Sequence, residues 1–327
     1  MSELLTSSMS NRSVNEENNQ VSRVFFSNTK TYAIAVIVAL LVLSSIVTTV
    51  GNGLVIVIIA RIRRLRTAAN LTILNLACCD FVMGCSLLSA FVPRHTMPRC
   101  AVFTGYAVTI LLASIEAIAL CTTDRYVAIA HPLRYRQWMT TERTRVLIVA
   151  CLLYAIGCGA ATTIQATYYW NPSTACVGEL VVAQGFVYFI ASHYAILFVV
   201  MMYCYIAIVK IARDHARRIA AASVAGRECT TGFHATWKTS KIMLIVVGTS
   251  CTLFAPHVLH MVLIYSFPSG LQTLRVIRAN ALLLNSLINP IIYFYKYKEF
   301  RSAVRELFGC GTSSEVTPFQ PDTEQEA

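Results

Sequence analysis

The sequence contains few charged residues for its length. Asp, Glu, Lys and Arg make up 13% of its 327 residues, whereas an average soluble domain has about 25%. Hydrophobic residues make up 56%. A soluble fold of this size has too much surface for so few charges, and a disordered chain needs more charge and less apolar content. The composition therefore excludes both classes and favours a membrane protein.

Acidic residues are scarcer than basic residues. The chain has 16 Asp and Glu against 27 Lys and Arg, which gives a formal net charge of +11. In a soluble protein this balance would suggest a nucleic-acid partner. In so apolar a chain the cytoplasmic face of a membrane explains it better, because cytoplasmic loops collect Lys and Arg. We therefore expect the lipid bilayer, and no nucleic acid, as a partner.

Motifs of several other protein classes are missing. No His and Glu residues stand at the spacing of a metalloenzyme, so we expect no enzymatic activity. No pair of matching broken helices indicates a transporter, and 12 cysteines in so long a chain do not make a disulfide scaffold. A transporter or channel stays the alternative of another class. It would need a continuous polar path through the bundle.

Seven apolar runs dominate what is present. A helix of about 20 apolar residues spans a bilayer, and only a helix satisfies the backbone of a single span in lipid. The sequence therefore predicts an all-α membrane protein, a bundle of seven transmembrane helices. The runs cover roughly residues 32–60, 68–93, 100–130, 146–168, 184–212, 239–266 and 273–295.

The basic residues predict the orientation of the bundle. Twenty of the 27 Lys and Arg fall on one side of the predicted membrane and seven on the other. Because the side richer in Lys and Arg faces the cytoplasm, the amino terminus is predicted to be extracellular and the carboxyl terminus cytoplasmic. The expected location is the plasma membrane.

The segments outside the spans carry two candidate modification sites. Asn11 opens an Asn-x-Ser triplet, an acceptor for glycosylation, and Cys310 is the predicted palmitoylation site. Just before Cys310, Phe300, Val304 and Leu307 recur at helical spacing among basic residues, which predicts a short amphipathic helix on the inner leaflet. The predicted domains are an extracellular tail (1–31), a transmembrane domain (32–295), a juxtamembrane helix (296–309) and a cytoplasmic tail (310–327).

Charged residues inside the spans are candidates for function, because a carboxylate at the bilayer centre costs about 2.5–3.5 kcal/mol. Asp80 lies in the middle of the second span, and Glu116 lies in the third. Either could instead be a structural residue that is hydrogen-bonded inside the bundle. Asp124 and Arg125 lie together at the end of the third span, where a pair of charges can also extend to the membrane surface.

Short motifs follow one another in a characteristic order. They are Gly51-Asn52, Leu76-Ala77-x-x-Asp80, Cys100, Asp124-Arg125-Tyr126, His131-Pro132-Leu133, Pro256 and Asn285-x-x-x-Asn289-Pro290-x-x-Tyr293. In this order and spacing the chain resembles the rhodopsin-like (class A) G-protein-coupled receptors over essentially its whole length.

The resemblance implies a conformational switch at the cytoplasmic side. Asp124 would hold Arg125 at rest. On activation Arg125 would help to open a cavity for a heterotrimeric G protein, with Tyr205 and Tyr293 turning towards it. Arrestin and a receptor kinase are the further partners implied, at the cytoplasmic tail. The implied switch residues are Asp124, Arg125, Tyr126, Tyr205, Asn289, Pro290 and Tyr293.

The resemblance also implies a cation site and a disulfide. A buried carboxylate with hydroxyl and amide oxygens suits a sodium ion, although the same residues could form only a hydrated hydrogen-bond network. No other cofactor or metal is expected. Cys100 would pair with Cys176 in the second outer loop. The residues that match the sodium cluster are Asp80, Ser114, Asn285, Ser286 and Asn289.

Two residues at positions where other members of the family bind their ligands exclude some classes of ligand. Ala107 stands where amine receptors have an aspartate, and Leu283 stands where opsins have the retinal-binding lysine. We therefore expect a small ligand that is neither a monoamine nor retinal. An adenosine-like or a peptide or lipid receptor is the alternative within the family, since the weak similarity is to the adenosine and melanocortin branches. Glu179, three residues after Cys176, is similar to an adenosine-receptor arrangement.

The resemblance also predicts a ligand pocket rich in histidine. Three histidines in a largely apolar pocket could hydrogen-bond a polar ligand or sense protons, or some could face lipid or a neighbouring helix. Phe254 stands where the family usually has tryptophan. Thr236 stands where many members have an acid that pairs with the arginine, so we expect appreciable basal activity. The predicted pocket residues are Ala107, Leu111, Glu179, His193, Phe254, His257, His260 and Met261.

Overall fold

A computed structural model gives the structure of the protein. It describes residues 38–86, 96–172, 176, 178–224, 231–263, 272–296 and 298–307. The predicted modification sites Asn11 and Cys310 lie outside the described residues, as do the side chains of Glu179 and Thr236.

The described chain is helical and arranged as a membrane bundle. Seven of its helices, α1, α2, α3, α5, α7, α8 and α9 in the order below, are long and apolar enough to cross a membrane. The predicted seven-helix all-α membrane fold is therefore confirmed. The helices are α1 (Val38–Arg61), α2 (Ala68–Ser86), α3 (Met97–Ala130), α4 (Pro132–Trp138), α5 (Thr141–Tyr169), α6 (Gly178–Val181), α7 (Gln184–Val224), α8 (Thr231–Leu263), α9 (Gln272–Lys296) and α10 (Lys298–Leu307).

Local signals explain where several helices begin. Pro132 opens α4, where its missing N–H leaves no hydrogen bond unmade. Thr140 caps α5, because its hydroxyl accepts a hydrogen bond from the backbone N–H of Arg143 at 3.3 Å. Pro256 and Pro290 lie inside α8 and α9, so each of these helices lacks one backbone donor within the membrane.

Helix α3 forms the centre of the bundle. It packs against α2, α5, α7 and α8, and the side chains of Leu112, Ile115 and Ile118 are fully buried. Large apolar side chains such as Ile196 and Val199 on α7 remain exposed, as expected for a surface in contact with lipid. A helix in contact with these four other membrane-spanning helices is placed to transmit a change from one end of the bundle to the other.

Two glycines allow α3 and α5 to approach closely. A Cβ on Gly105 would lie 2.5 Å from the carbonyl oxygen of Gly159, and a Cβ on Gly159 would lie 2.7 Å from that of Gly105. Each glycine also lies under a threonine of the opposite helix, Thr163 over Gly105 and Thr109 over Gly159. Both threonine hydroxyls donate to a carbonyl of their own helix at 3.0 Å. Small residues at such contacts are typical of membrane helices, where close packing replaces the hydrophobic effect.

The short amphipathic helix is present as α10 and contacts the bundle directly. Phe300 and Ala303 are fully buried, and the ring of Phe300 stacks on that of Tyr293 with 6.0 Å between centroids. An exposed salt bridge of 2.8 Å joins Glu306 to Arg64, in the turn after α1. Of the apolar face predicted to lie on the lipid, Phe300 therefore packs on protein, whereas Leu307 remains exposed.

Candidate functional site

A cavity of about 300 Å³ opens at one end of the bundle. The predicted disulfide is confirmed there: Cys100, near the start of α3, is bonded to Cys176, with 5.7 Å between their Cα atoms. Cys176 also lines the cavity, so the disulfide fixes one wall. We call this end of the bundle the disulfide end.

The cavity is largely apolar, with few polar groups. Thr104 and Thr162 donate their hydroxyls to carbonyls of their own helices, both at 2.8 Å. Tyr194, His257 and Arg278 supply the other polar side chains in the described lining. The apolar side chains are Phe103, Ala107, Val108, Leu111, Val182, Phe186, Val187, Ile190 and Met261.

Half of the predicted pocket residues line this cavity, and three of the others are described at other places in the bundle. Ala107, Leu111, His257 and Met261 are in the lining. The described lining does not include Phe254, His260 or His193. Phe254 belongs to the core and lies edge-on to the ring of His257, 6.3 Å away. His260 is fully buried.

His193 lies away from the cavity because it faces α3 and α5. Its Nε2 lies 3.2 Å from Oε1 of Glu116, and its Nδ1 lies 3.4 Å from the hydroxyl of Tyr154. Three helices, α3, α5 and α7, are joined through this contact. Glu116 is therefore hydrogen-bonded inside the bundle, to a side chain of a neighbouring helix.

His257 has unused hydrogen-bonding capacity. It is 2% exposed, and neither ring nitrogen has a hydrogen-bond partner among the residues that the structure describes. Its ring packs edge-on against Tyr194 with 4.8 Å between centroids. A buried polar group without a partner is costly, so a ligand that bonds this ring would gain from it.

A buried polar cluster lies deeper in the bundle, around Asp80. Ser286 donates to Oδ1 of Asp80 at 2.6 Å, and the amide of Asn289 donates to Oδ2 at 2.7 Å. Within the described part of the chain, Oδ1 of Asn285 has no hydrogen-bond partner. Ser114 is also buried. The Asp80 carboxylate, the Ser286 hydroxyl and the Asn289 amide therefore lie together in a buried place, and carboxylate, hydroxyl and amide oxygens are groups that fit a hard cation.

The third group of polar residues surrounds Arg125, near the far end of α3. Nε of Arg125 donates to Oδ2 of Asp124 at 2.9 Å, and a second guanidinium nitrogen contacts the same oxygen. Tyr135 of α4 donates to Oδ1 of Asp124 at 2.9 Å. Burial and the adjacent carboxylate raise the pKa of Tyr135, which keeps its hydroxyl in the donating form. Asp124 is thus held from two sides.

The predicted switch tyrosines occupy separate places around this end. Tyr293 is fully buried against Phe300. Tyr205 lies against α8 at Gly248, where a Cβ would come within 3.0 Å of its hydroxyl. Tyr126 lies against Tyr203, with 6.0 Å between ring centroids.

Comparison with known proteins identifies the family. Residues 51–293 match the model of the 7 transmembrane receptor family (rhodopsin family). The chain belongs to this family. The match includes the cavity, the Asp80 cluster and the Arg125 site, so all three lie within the family's common fold.

Several curated receptors are similar to this receptor over most of its length. Mouse G-protein coupled receptor 6 is 28% identical over 293 residues, which cover 86% of this chain and 77% of the relative. Dog histamine H2 receptor is 28% identical over 302 residues, with 86% and 80% covered. Human melanocortin receptor 5 is 30% identical over 216 residues, with 64% and 60% covered. The protein is therefore a multi-pass G-protein-coupled receptor of the plasma membrane, whose family couples extracellular ligands to G proteins.

Sequence reasoning missed three features of the receptor. They are Arg278 in the cavity wall, the contact between Glu116 and His193, and the glycine crossing of α3 and α5. The first two had a signal, because a charge within a span is a candidate for function. The glycine crossing also had one, since Gly105-x-x-x-Thr109 and Gly159-x-x-x-Thr163 are pairs of small residues at a spacing of four.

Proposed function

We propose that the receptor binds a small extracellular ligand in the cavity at the disulfide end and activates a heterotrimeric G protein at the Arg125 end. The observation that carries this proposal is that one central helix takes part in both places. Ala107 of α3 lines the cavity and Arg125 of α3 is paired with Asp124. Eighteen residues of helix separate them, about 27 Å at 1.5 Å per residue.

Helix α8 is the proposed moving part. Pro256 removes one backbone hydrogen bond from α8 next to His257, which lines the cavity. A ligand that contacts His257 would bias the bend at this proline. The half of α8 that precedes Pro256 would then swing outward and open the Arg125 end to the G protein. Ligand binding thus shifts an existing equilibrium.

The experiment that tests the proposed function is guanine-nucleotide exchange. Membranes that contain the receptor should exchange nucleotide on added G protein faster than membranes without it, and cAMP and calcium readouts in cells would then report the G-protein class. Equal exchange in both membranes across the main G-protein classes, with and without a broad ligand library, would contradict the proposal.

The proposed orientation places the amino terminus and the disulfide end outside the cell. Arg63, Arg64 and Arg66 follow α1, and Arg134 and Arg136 lie in α4, all near the Arg125 end of the bundle. These charges belong on the cytoplasmic side. An antibody tag at the amino terminus should be accessible on intact cells, and one at the carboxyl terminus only after permeabilisation.

Sodium is the proposed modulator at the Asp80 cluster. A ligand present at about ten times its dissociation constant stabilises the folded state by about 1.4 kcal/mol. We therefore expect replacement of sodium by choline to lower the midpoint of thermal unfolding of the purified receptor by a few degrees. The Asp80→Asn variant should lose this sodium dependence, because it lacks the carboxylate.

Glu116→Gln provides the matched control for Asp80→Asn. It also removes a buried carboxylate from the membrane domain, but one bonded to His193 outside the cluster. This variant should keep the sodium dependence. If the wild type unfolds at the same temperature in sodium and in choline, the cluster is a hydrated hydrogen-bond network instead.

The tails carry the remaining proposals. We propose glycosylation at Asn11, which a glycosidase-sensitive shift in gel mobility would report, and palmitoylation at Cys310, which metabolic labelling with palmitate would report. The tail at 310–327 is the proposed contact for a receptor kinase and arrestin. It carries several Ser and Thr residues that phosphorylation would make negatively charged.

A further inference from the structure

We propose that the ligand of this receptor is elongated, with an apolar end that reaches past Ala107 into a second cavity beside the one at the disulfide end. Ala107 would then decide how long a ligand the receptor accepts. The inference rests on the proposed function, since it takes the cavity at the disulfide end as the ligand site, and it adds the shape and chemical class of the ligand.

The second cavity has a volume of about 200 Å³ and lies between α2, α3 and α9. Much of its described wall is apolar, with Met83 from α2, Ile110 from α3 and Leu282 from α9. The described lining contains no charged side chain, and its polar side chains are Ser86 and Tyr106. The hydroxyl of Ser86 already donates to the carbonyl of Met83 at 2.7 Å. Such a space suits an apolar group, because a charged group would lose its hydration there without replacing it.

One face of α3 separates the two cavities. Phe103, Ala107 and Leu111 follow one another at a spacing of four residues, so their side chains lie in one row along the helix. All three residues belong to the linings of both cavities. Phe103 and Leu111 have large side chains, whereas Ala107 carries only a methyl group and is half-buried. The row is therefore lowest at Ala107, and this is the place where a ligand can cross from one cavity to the other.

The polar end of such a ligand belongs in the cavity at the disulfide end. His257 lines that cavity, and neither of its ring nitrogens has a hydrogen-bond partner within the described structure. A neutral imidazole has one donor and one acceptor nitrogen, so a hydroxyl or an amide of the ligand can bond to it. The apolar end is then left for the second cavity.

The volumes also favour a ligand that uses both cavities. Small-molecule sites have volumes of roughly 300–1,000 Å³, and the cavity at the disulfide end, at about 300 Å³, lies at the lower limit of that range. The second cavity adds about 200 Å³. Each methylene group that a ligand buries there should increase its affinity roughly fourfold.

The test compares hexanol with dodecanol, two neutral probes that share a hydroxyl head group and differ in chain length. Dissociation constants are obtained from thermal stabilisation of the purified receptor in phosphatidylcholine nanodiscs. Each variant is compared with the wild type for the same alcohol, so partition of the alcohol into lipid cancels. We expect Ala107→Leu to weaken dodecanol at least tenfold more than hexanol, because the larger side chain closes the crossing and two or more methylene groups lose their place.

Two further variants carry the same substitution at other places. Ala279 of α9 belongs to the described lining of the second cavity and not to that of the first, so Ala279→Leu should also weaken dodecanol at least tenfold more than hexanol. Ala160 of α5 is exposed and belongs to neither described lining. Ala160→Leu is therefore the matched control, and it should change the affinity for either alcohol less than threefold.

A measurement on the wild type needs no variant to fold. Dodecanol that carries a diazirine at the end of its chain should, after irradiation, label residues of the second cavity such as Met83 or Leu282, as mapped by mass spectrometry of the digested receptor. Label confined to the wall of the first cavity, at residues such as Ile190, would overturn the proposal.

Two other results would also overturn it. One is an equal loss of hexanol and dodecanol affinity in both Ala107→Leu and Ala279→Leu, and the other is a wild type that dodecanol does not stabilise. Nucleotide exchange is measured separately on the wild type. The expected binding results without exchange would contradict the proposed signalling and not the ligand class, whereas exchange without them would contradict the ligand class alone.

Discussion

Replacing Arg125 by alanine is expected to reduce nucleotide exchange to the level of membranes without receptor. Arg125 is the cation held by Asp124 at the end of α3 where the G protein is proposed to bind. No other side chain at this position supplies the same planar set of donors. Basal exchange, which we expect to be appreciable, gives a signal to lose before any ligand is known.

Asp124→Asn provides the opposing variant for this prediction. It keeps an oxygen that Tyr135 can bond but removes the charge that holds Arg125, so basal exchange should rise. Each variant breaks a buried ion pair, a change that costs about 3–5 kcal/mol when one charge is left alone. Exchange is therefore expressed per receptor, with surface amount measured by an amino-terminal tag. Exchange that falls equally in both variants would mean that the pair serves folding alone.

Replacing Gly159 by alanine is expected to destabilise the receptor by about 1–3 kcal/mol, the usual cost of forcing extra atoms into a packed interior. The new Cβ would lie 2.7 Å from the carbonyl oxygen of Gly105. Because a backbone atom cannot rotate away as a side chain can, α3 and α5 must separate. Separation would disturb the packing of α3 on both sides, so less receptor should reach the cell surface.

Gly157, two residues earlier on the same helix, is the matched control. A Cβ on Gly157 would have no atom within 4 Å among the described residues, so alanine there should be neutral, or stabilising by about 0.5–1 kcal/mol because the unfolded chain loses freedom. Thermal unfolding of the two purified variants is the measurement. Equal midpoints for Gly157→Ala and Gly159→Ala would refute the close crossing of α3 and α5.

The two predictions differ in whether the sequence alone identifies the residue to be changed. Arg125 is found from its motif and its position at the end of an apolar run, before any packing is known. The small-residue spacing from Gly159 to Thr163 does not assign the role of Gly159, because Gly157 and Ala161 show the same spacing. Gly157 and Gly159 are the same residue type on the same helix, two residues apart, and only the packing of α5 on α3 distinguishes the buried one from the exposed one.

The candidate pocket shows the same limit. The position of a residue along a span gives its depth in the membrane. His193, His257 and His260 were predicted to lie in one pocket on this basis. The side to which a side chain turns depends on the rotation of each helix about its axis, which packing determines. His193 turns towards Glu116, whereas His257 turns into the cavity. Arg278, a charged residue near the start of the seventh span, lines the cavity for the same reason.

The sequence by itself determined that the protein is a seven-helix membrane receptor. Insertion into a bilayer depends on the number and length of apolar runs, on which side the basic residues lie and on the cost of charges in lipid. All three can be read along the chain without knowledge of its packing. The tertiary structure decided which polar groups meet: Arg278 with the cavity, Glu116 with His193, and Gly105 with Gly159. Such contacts depend on the rotation of each helix about its axis and on how closely two helices approach. The sequence does not determine them, because the hydropathy of a span is the same for every rotation.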